Sequence, residues 1–175
     1  MENLKELLKN RRSIRKYTED SISPENVKEI LEAALMSPTS KRSLCWEFVV
    51  IENPEQLEKL SHCKAQGAKP IAGAKLAIVI LADPSKSDVW IEDASIAAIL
   101  IQLQAEDLGL GSCWIQIRNR LTENGQSAED YVREMLGIPY GMEVLSIITQ
   151  GHKNEEKKPF DPDKAQWEKV HIEHW

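Results

Sequence analysis

The sequence has few cysteines and no long apolar segment, and each of these absences excludes a class of protein. Its 175 residues contain three cysteines at wide spacing, which supply neither a disulfide framework nor a CxxC motif. Apolar packing in a reducing compartment is the expected role of these cysteines. The longest apolar run, LAIVILA, has seven residues, whereas a membrane helix needs about twenty. The amino terminus also lacks the apolar core of a signal peptide, so we predict a cytoplasmic protein without a membrane partner.

Positive charge is outnumbered overall, with 22 Lys or Arg against 28 Asp or Glu, but it is concentrated near the amino terminus. The chain carries a net charge of −6, yet residues 1–17 hold six Lys or Arg against two Glu, a local net charge of +4. Nucleic-acid binding needs broad basic patches, so no nucleic-acid partner is expected. The cluster Arg11-Arg12-Ser13-Ile14-Arg15 matches a small anion instead, because guanidinium groups and a hydroxyl donate to phosphate oxygens. A solvated turn after a helix is the other interpretation of this cluster.

Motifs of the common nucleotide-binding and hydrolytic enzymes are missing. Gly109-Leu110-Gly111 lacks the third glycine of a dinucleotide fingerprint and lies between a predicted helix and a predicted strand, the reverse of the required order. The chain has no Walker loop and no nucleophile elbow. His171 and His174 form an HxxH pair, but on a strand they would point to opposite faces, so no metal site is expected.

Apolar periodicity and capping residues predict a single α+β domain over residues 1–175. Helices are predicted after Asn3, Ser23 and Asn53, from about Asp88 to Leu108, and at 128–136, and strands at 46–51, 76–82, 112–117 and 144–149. The strands at 76–82 and 144–149 should lie in the middle of the sheet. The long helix has so broad an apolar surface that we expect it to be a core or interface element.

The carboxy-terminal tail is charged but ends in large apolar residues. These residues are Trp167, Val170, Ile172 and Trp175, and the last three nearly alternate with polar residues, which predicts an edge strand. Such a tail docks either on another subunit or on its own domain, and the sequence leaves both arrangements open.

The segment from Ser37 to Ser43 combines hydroxyl groups with two cations between a helix and a strand. It is either an ordinary turn with capping hydroxyls or a loop that hydrogen-bonds a planar heterocycle. Together with the arginine cluster and the late cations Lys153, Lys157 and Lys158, it suggests a ligand with a phosphate at one end and a polar ring at the other. Flavin mononucleotide (FMN) has that layout.

Several motifs, taken in order, resemble the nitroreductase family of FMN-dependent oxidoreductases. The arginine cluster is similar to the family's Arg-(Arg/His)-Ser-x-(Arg/Lys), and residues 37–48 are similar to its Ala/Ser-Pro-Ser/Thr-Ser-x-Asn-x-Gln-Pro-Trp-x-Phe. Residues 93–98 resemble the start of the family's long dimer helix, and residues 109–114 resemble the segment beside the reactive edge of the flavin. Gly151-His152-Lys153, followed by Lys157-Lys158-Pro159, resembles the closing motif.

The resemblance implies a mostly antiparallel central sheet flanked by helices, in an intertwined homodimer whose tail reaches the partner. It implies FMN as cofactor and ping-pong transfer of hydride from NADH or NADPH, through flavin N5, to a nitroaromatic, quinone or similar small-molecule acceptor. No side chain has to act as a catalytic nucleophile, and Arg15 is the candidate cation beside flavin N1 and C2=O. The residues implied in cofactor binding are Arg11, Arg12, Ser13, Arg15, Pro38, Thr39, Ser40, Arg42, Cys113, Trp114, Gly151, Lys157 and Lys158.

The chain departs from the family pattern near the expected ring site. Arg42 stands where the family usually has Asn, and Leu44-Cys45 replaces Gln-Pro. These differences leave two other functions open. One is a flavin enzyme of the same fold with a different acceptor, such as a reductive dehalogenase, and the other is a non-catalytic protein that binds FMN or another phosphorylated ligand.

Overall fold

A computed structural model describes residues 3–175 and shows five helices and four strands in that range. The helices are α1 (Leu4–Asn10), α2 (Pro24–Leu35), α3 (Pro54–Leu60), α4 (Trp90–Asp107) and α5 (Ala128–Leu136). The strands are β1 (Trp46–Ile51), β2 (Leu76–Ala82), β3 (Leu110–Gln116) and β4 (Glu143–His152). All neighbouring strands pair antiparallel, in the order β1-β2-β4-β3. The predicted α+β class with a central antiparallel sheet is therefore confirmed.

The two predicted central strands, β2 and β4, lie in the middle of the sheet, and every residue of β2 is buried. Helices α2 and α4 cover one face of the sheet, where Ile30, Ile78 and Ile101 belong to one apolar cluster. Helices α3 and α5 cover the opposite face, where a second cluster includes Val79 and Ile147. Because both faces are packed, β2 has no polar side chains to alternate with its apolar ones.

Side-chain caps begin the first three helices as predicted. The side chains of Asn3, Ser23 and Asn53 accept hydrogen bonds from backbone N–H groups three residues later, at 3.1, 3.2 and 3.0 Å. Gly137 ends α5 in the left-handed region with φ of 66°, which a glycine adopts without steric cost. Local sequence signals therefore set these boundaries.

The predicted edge strand in the tail is wrong. Beyond residue 160 the chain forms two 3₁₀ turns, at Pro162–Lys164 and Trp167–Lys169, and no strand. The N–H of Val170 donates to the carbonyl of Trp167 at 3.0 Å in the second turn, and Glu173 has a φ of 65°, so the backbone is not extended over the predicted strand. The tail's large apolar side chains remain exposed, with Trp175 at 97%.

Two further properties concern only residues 3–175. None of the helices there has the length and apolar content that crossing a bilayer requires. Within residues 3–175, no three His, Cys, Asp or Glu side chains come together as a candidate metal site. The His171 ring stacks on the Trp175 ring, with centroids 4.2 Å apart.

Candidate functional site

The arginine cluster lies on an extended segment, residues 11–18, which we call the arginine arm. The arm crosses from β3 to the end of β4. The N–H of Ile14 donates to the carbonyl of Ser112 at 2.9 Å, and the N–H of Thr18 donates to the carbonyl of His152 at 3.0 Å. Backbone hydrogen bonds thus fix the arm on the sheet and leave its cationic side chains available.

A pair of glycines lets the arm approach the sheet closely. Gly111 and Gly151 are register partners across β3 and β4. A Cβ atom on Gly111 would lie 2.7 Å from Ile14, and one on Gly151 would lie 2.8 Å from Tyr17. The space above Gly151 is therefore filled by the Tyr17 ring, and contact of Gly151 with a cofactor stays a prediction.

Tyr17 ties the arm to the sheet from within the core. Its hydroxyl donates to the carbonyl of Ile14 at 2.6 Å and shares a hydrogen bond with the Thr149 hydroxyl at 2.8 Å. Burial, as the largest cause, raises the pKa of Tyr17, so the phenol stays protonated at neutral pH. The arm is thus held by both backbone and side-chain bonds.

A basic cleft of about 650 Å³ opens beside the arm. Its charged lining residues are Arg12, Lys153, Lys157, Glu155 and Glu156, which give a net charge of +1. Lys153 pairs with Glu106 on α4 at 2.7 Å, and Lys157 pairs with Glu155 at 2.8 Å. Within residues 3–175, Arg12 has no ion-pair partner, so its guanidinium is the cation most available to an anion.

Glu155 stabilises the base of the cleft rather than opposing an anion there. Its carboxylate accepts the N–H of Arg15 at 2.5 Å, and the N–H of Lys16 also donates to it. Hydrogen bonding from Lys157, and then from the Arg15 N–H, lowers the pKa of Glu155. The negative charge of this group is thus largely offset by neighbouring donors.

Further cations face Cys113 on β3, on the same side of the sheet as the paired glycines. Burial is the largest cause that raises the pKa of the Cys113 thiol, while the positive charges of Arg15, Lys64 and Arg11 lower it in part. This thiol is buried and protonated, which fits the predicted packing role. Arg15 and Lys64 therefore act electrostatically on the same residue in the middle of β3.

Lys64 is a further cation near β3 that the sequence did not indicate. It is partly buried, and desolvation is the main cause that lowers its pKa. No ion pair involves Lys64 within the described part of the chain. A lone lysine in a polar loop carries no local signal, so only the fold reveals that its charge acts on Cys113 of β3.

The structure separates Trp114 from Cys113 although both belong to the same predicted motif. Successive side chains of a strand point to opposite faces, so Cys113 faces the arm while Trp114 packs against the α4 side. The Trp114 indole N–H donates to the Gln116 side chain at 2.9 Å. Lys158 is exposed and does not line the basic cleft, whereas Lys157 does.

The remaining predicted residues, Pro38, Thr39, Ser40 and Arg42, lie on the loop at 37–45, far from the basic cleft. This 37–45 loop is bonded to Asp93 in the first turn of α4, and Glu106, near the other end of α4, pairs with Lys153 at the cleft. Asp93 and Glu106 are thirteen positions apart, a distance of about 20 Å along the helix. Within one chain the loop and the cleft do not come together.

Comparison with known proteins is consistent across sequence and structure. The model of the family described as "Nitroreductase family" matches residues 8–74 and 64–152. A solved structure of an FMN-dependent nitroreductase from Clostridium difficile R20291 is 48% identical, with a TM-score of 0.94, and the match covers 97% of this chain and 98% of that one.

Curated relatives also match most of the chain. A protein of Archaeoglobus fulgidus, whose name assigns it to the NADH dehydrogenase/NAD(P)H nitroreductases, is 35% identical over the full length of both chains. An FMN reductase (NADPH) of Bacillus subtilis is 27% identical, over 94% of this chain and 72% of its own. Since the family match spans the arginine arm, the 37–45 loop, α4 and both central strands, this chain belongs to the nitroreductase family.

Proposed function

We propose that this protein is an FMN-dependent oxidoreductase that takes electrons from NADH or NADPH and binds the FMN phosphate in the basic cleft. The observation that carries the proposal is the Arg12 guanidinium, which has no ion-pair partner within residues 3–175 and lines the same cleft as Lys157. The names of the similar proteins support the cofactor and the donor, because they include an FMN-dependent nitroreductase and an FMN reductase.

The residues present fit the phosphate of FMN. Arg12 offers a planar set of N–H donors, and Lys157 adds a second positive charge. The cleft keeps a net positive charge even with its two glutamates, and Glu155 is already bonded to backbone N–H groups. Its donor set therefore matches a small dianion better than a neutral ligand.

Bound FMN supplies two-electron hydride chemistry, in which the nicotinamide donor and a nitroaromatic, quinone or similar acceptor use the same slot in turn, a ping-pong scheme. The chain's own residues bind and tune the ring. Arg15 and Lys64 lie where their charges reach Cys113 in the middle of β3, and in a water-poor site such charges favour an electron-rich ring. No nucleophilic side chain is needed.

We propose a homodimer because one chain does not bring the 37–45 loop to its own basic cleft. In an antiparallel pair of α4 helices, the loop of one copy lies beside the cleft of the other. Exposed apolar side chains surround this helix, including Leu35 at 58%, Met36 at 74% and Ile96 at 39%. Pairing would bury them, and the exposed tryptophans of the tail would then reach the partner.

Anaerobic mixing of the purified yellow protein with NADH tests this function. Loss of flavin absorbance, followed by its return when a nitroaromatic or quinone is added, is the expected result. A bound flavin that NADH does not reduce would favour a non-catalytic binding protein. Reduction without reoxidation by these acceptors would favour a same-fold enzyme of the dehalogenase type, and a protein that binds no FMN would refute the proposal.

A further inference from the structure

We propose that Asp93 is a positioning residue that holds the 37–45 loop in the conformation it needs to meet a flavin ring. The inference rests on the proposed function, which gives this loop its contact with the ring of the partner copy. Asp93 itself touches neither donor nor acceptor in this arrangement and acts only through the loop.

The Asp93 carboxylate is 3% exposed and accepts four hydrogen bonds. One oxygen accepts the N–H of Ser40 at 2.8 Å. The other accepts the Ser87 hydroxyl at 2.9 Å, the Ser43 hydroxyl at 3.3 Å and the Cys45 thiol at 3.5 Å. Three of the four donors belong to the 37–45 loop. The buried carboxylate therefore connects both ends of the turn in this loop to α4 by hydrogen bonds.

The carboxylate is stable in its buried position as an anion. Burial alone would raise the pKa of Asp93, but the hydrogen bonds, led by those from the Ser40 N–H and the Ser87 hydroxyl, outweigh it and lower the pKa. Asp93 also lies in the first turn of α4, where the helix dipole favours negative charge. No cation within the described residues pairs with Asp93, so hydrogen bonds, mostly from the loop, stabilise its negative charge.

The loop that Asp93 holds has a strained backbone. Lys41, Arg42 and Leu44 have φ values of 52°, 56° and 45°, in the left-handed region that non-glycine residues rarely adopt. Such conformations persist only when surrounding contacts determine them. Inside the loop, the Thr39 hydroxyl accepts the N–H of Leu44 at 3.0 Å, but the Asp93 bonds are what connect the turn to α4.

The strained turn places two cations outward. Lys41 and Arg42 are exposed, and neither forms an ion pair within residues 3–175. If the Asp93 bonds are lost, these residues can return to ordinary φ values, and the loop becomes mobile at the point where it would face the ring. Donor and acceptor binding should then weaken while the remote basic cleft still holds the FMN phosphate.

Asp93→Asn tests the proposal, with Asp83→Asn as the matched control. Asn keeps the shape of Asp93 but loses its charge and turns an amide donor toward the loop donors. Asp83 caps a neighbouring turn, where its carboxylate accepts the Ser85 N–H at 2.9 Å, and its bond to the loop comes from its backbone N–H, which Asn keeps, to the Cys45 carbonyl at 2.8 Å. We expect Asp93→Asn to be cleaved by trypsin after Lys41 or Arg42 at least tenfold faster than wild type. We also expect at least tenfold higher KM values for NADH and acceptor at equal FMN content, and no such changes in Asp83→Asn.

A second pair of variants keeps the proposal testable if Asp93→Asn does not fold. Ser43 and Ser87 donate to the same carboxylate oxygen, but only Ser43 belongs to the loop. Ser43→Ala should raise the trypsin rate and KM several-fold, whereas Ser87→Ala should lower Tm with little change in either. Equal losses of Tm with unchanged KM and cleavage in both variants would overturn the positioning role. A wild-type protein that binds no FMN would refute the proposed function alone, since the trypsin comparison still reports on the loop.

Discussion

The two candidate binding regions, one near each end of α4, are held in place by different kinds of contact. At its carboxy-terminal end, the arginine arm is fixed by backbone hydrogen bonds and by the close packing of Ile14 and Tyr17 on two glycines, and its cations are largely exposed. At the amino-terminal end, the 37–45 loop depends on one buried carboxylate and on side-chain donors. Charge on a rigid backbone suits binding of a fixed anion, whereas a loop held by one buried group is sensitive to a single substitution.

The largest expected effect is on FMN affinity, through the cations of the basic cleft. Replacing Arg12 and Lys157 together by Gln should weaken FMN binding by about 1.5–3 kcal/mol for each lost charge-assisted contact. Fluorescence titration of the protein with FMN measures this change. Lys158→Gln is the control, because Lys158 carries the same charge but does not line the cleft. Equal affinity in the double variant and the control would place the phosphate elsewhere.

Displacing the arm should act on folding as well as on binding. Gly151→Ala puts a Cβ atom 2.8 Å from Tyr17, and overpacking of this kind costs about 1–3 kcal/mol of unfolding free energy. Gly141→Ala is the matched control, since no atom lies within 4 Å of a Cβ built there. Urea unfolding of both variants checks the difference, and the comparison fails if they are equally stable.

Acid pH should destabilise the protein at the 37–45 loop, because it protonates Asp93. Because the folded-state pKa of Asp93 is lowered, its ionised form stabilises the fold above the unfolded pKa, and this stabilisation is lost as pH falls through the folded value. Wild-type stability should therefore begin to fall as pH drops toward the ordinary Asp pKa of about 3.9 and should go on falling below it, and the fall should be less steep in Asp93→Asn. Glu155 also has a lowered pKa, but it is present in both proteins, so the difference between them isolates Asp93. Parallel curves from urea unfolding at each pH would contradict this assignment.

The smallest effect is expected at Arg42, which stands where the family usually has Asn. An exposed charge of this kind contributes about 0.2–1 kcal/mol, so Arg42→Asn should raise the KM for a carboxylated quinone by up to about fivefold. The KM for the matching neutral quinone should change little, and FMN content should stay constant. An equal change for both quinones would show that Arg42 acts by shape and not by charge.

Local signals predicted the elements that depend on near neighbours in the chain. The caps at Asn3, Ser23 and Asn53 and the buried strand at 76–82 all occur where the sequence placed them. Asparagine and serine side chains bond backbone groups three residues away, so a short window contains both partners. The tail shows the limit of such short windows, because its near alternation predicted a strand, whereas the N–H of Val170 bonds the carbonyl of Trp167 in a local turn.

The residues of the candidate site also fall into two groups, those recognisable from nearby sequence and those whose partners are distant in the chain. The arginine cluster was recognisable because its residues are contiguous, and the family resemblance came from short motifs in a fixed order. Lys64 and Asp93 were not recognised as site residues, since their partners are distant in sequence: Asp93 bonds Ser40 across 53 positions. Nothing within a few residues of either marks the contact.

The sequence by itself determined the fold class, the family and the cation-rich segment near the amino terminus, because periodicity, capping and contiguous motifs are local properties. Only the tertiary structure decided that the arm packs on paired glycines, that Cys113 and Trp114 face opposite ways, and that the 37–45 loop lies about 20 Å along α4 from the basic cleft. These relations depend on which strands pair and on which faces helices cover, and such long-range packing sets them once the whole chain has folded.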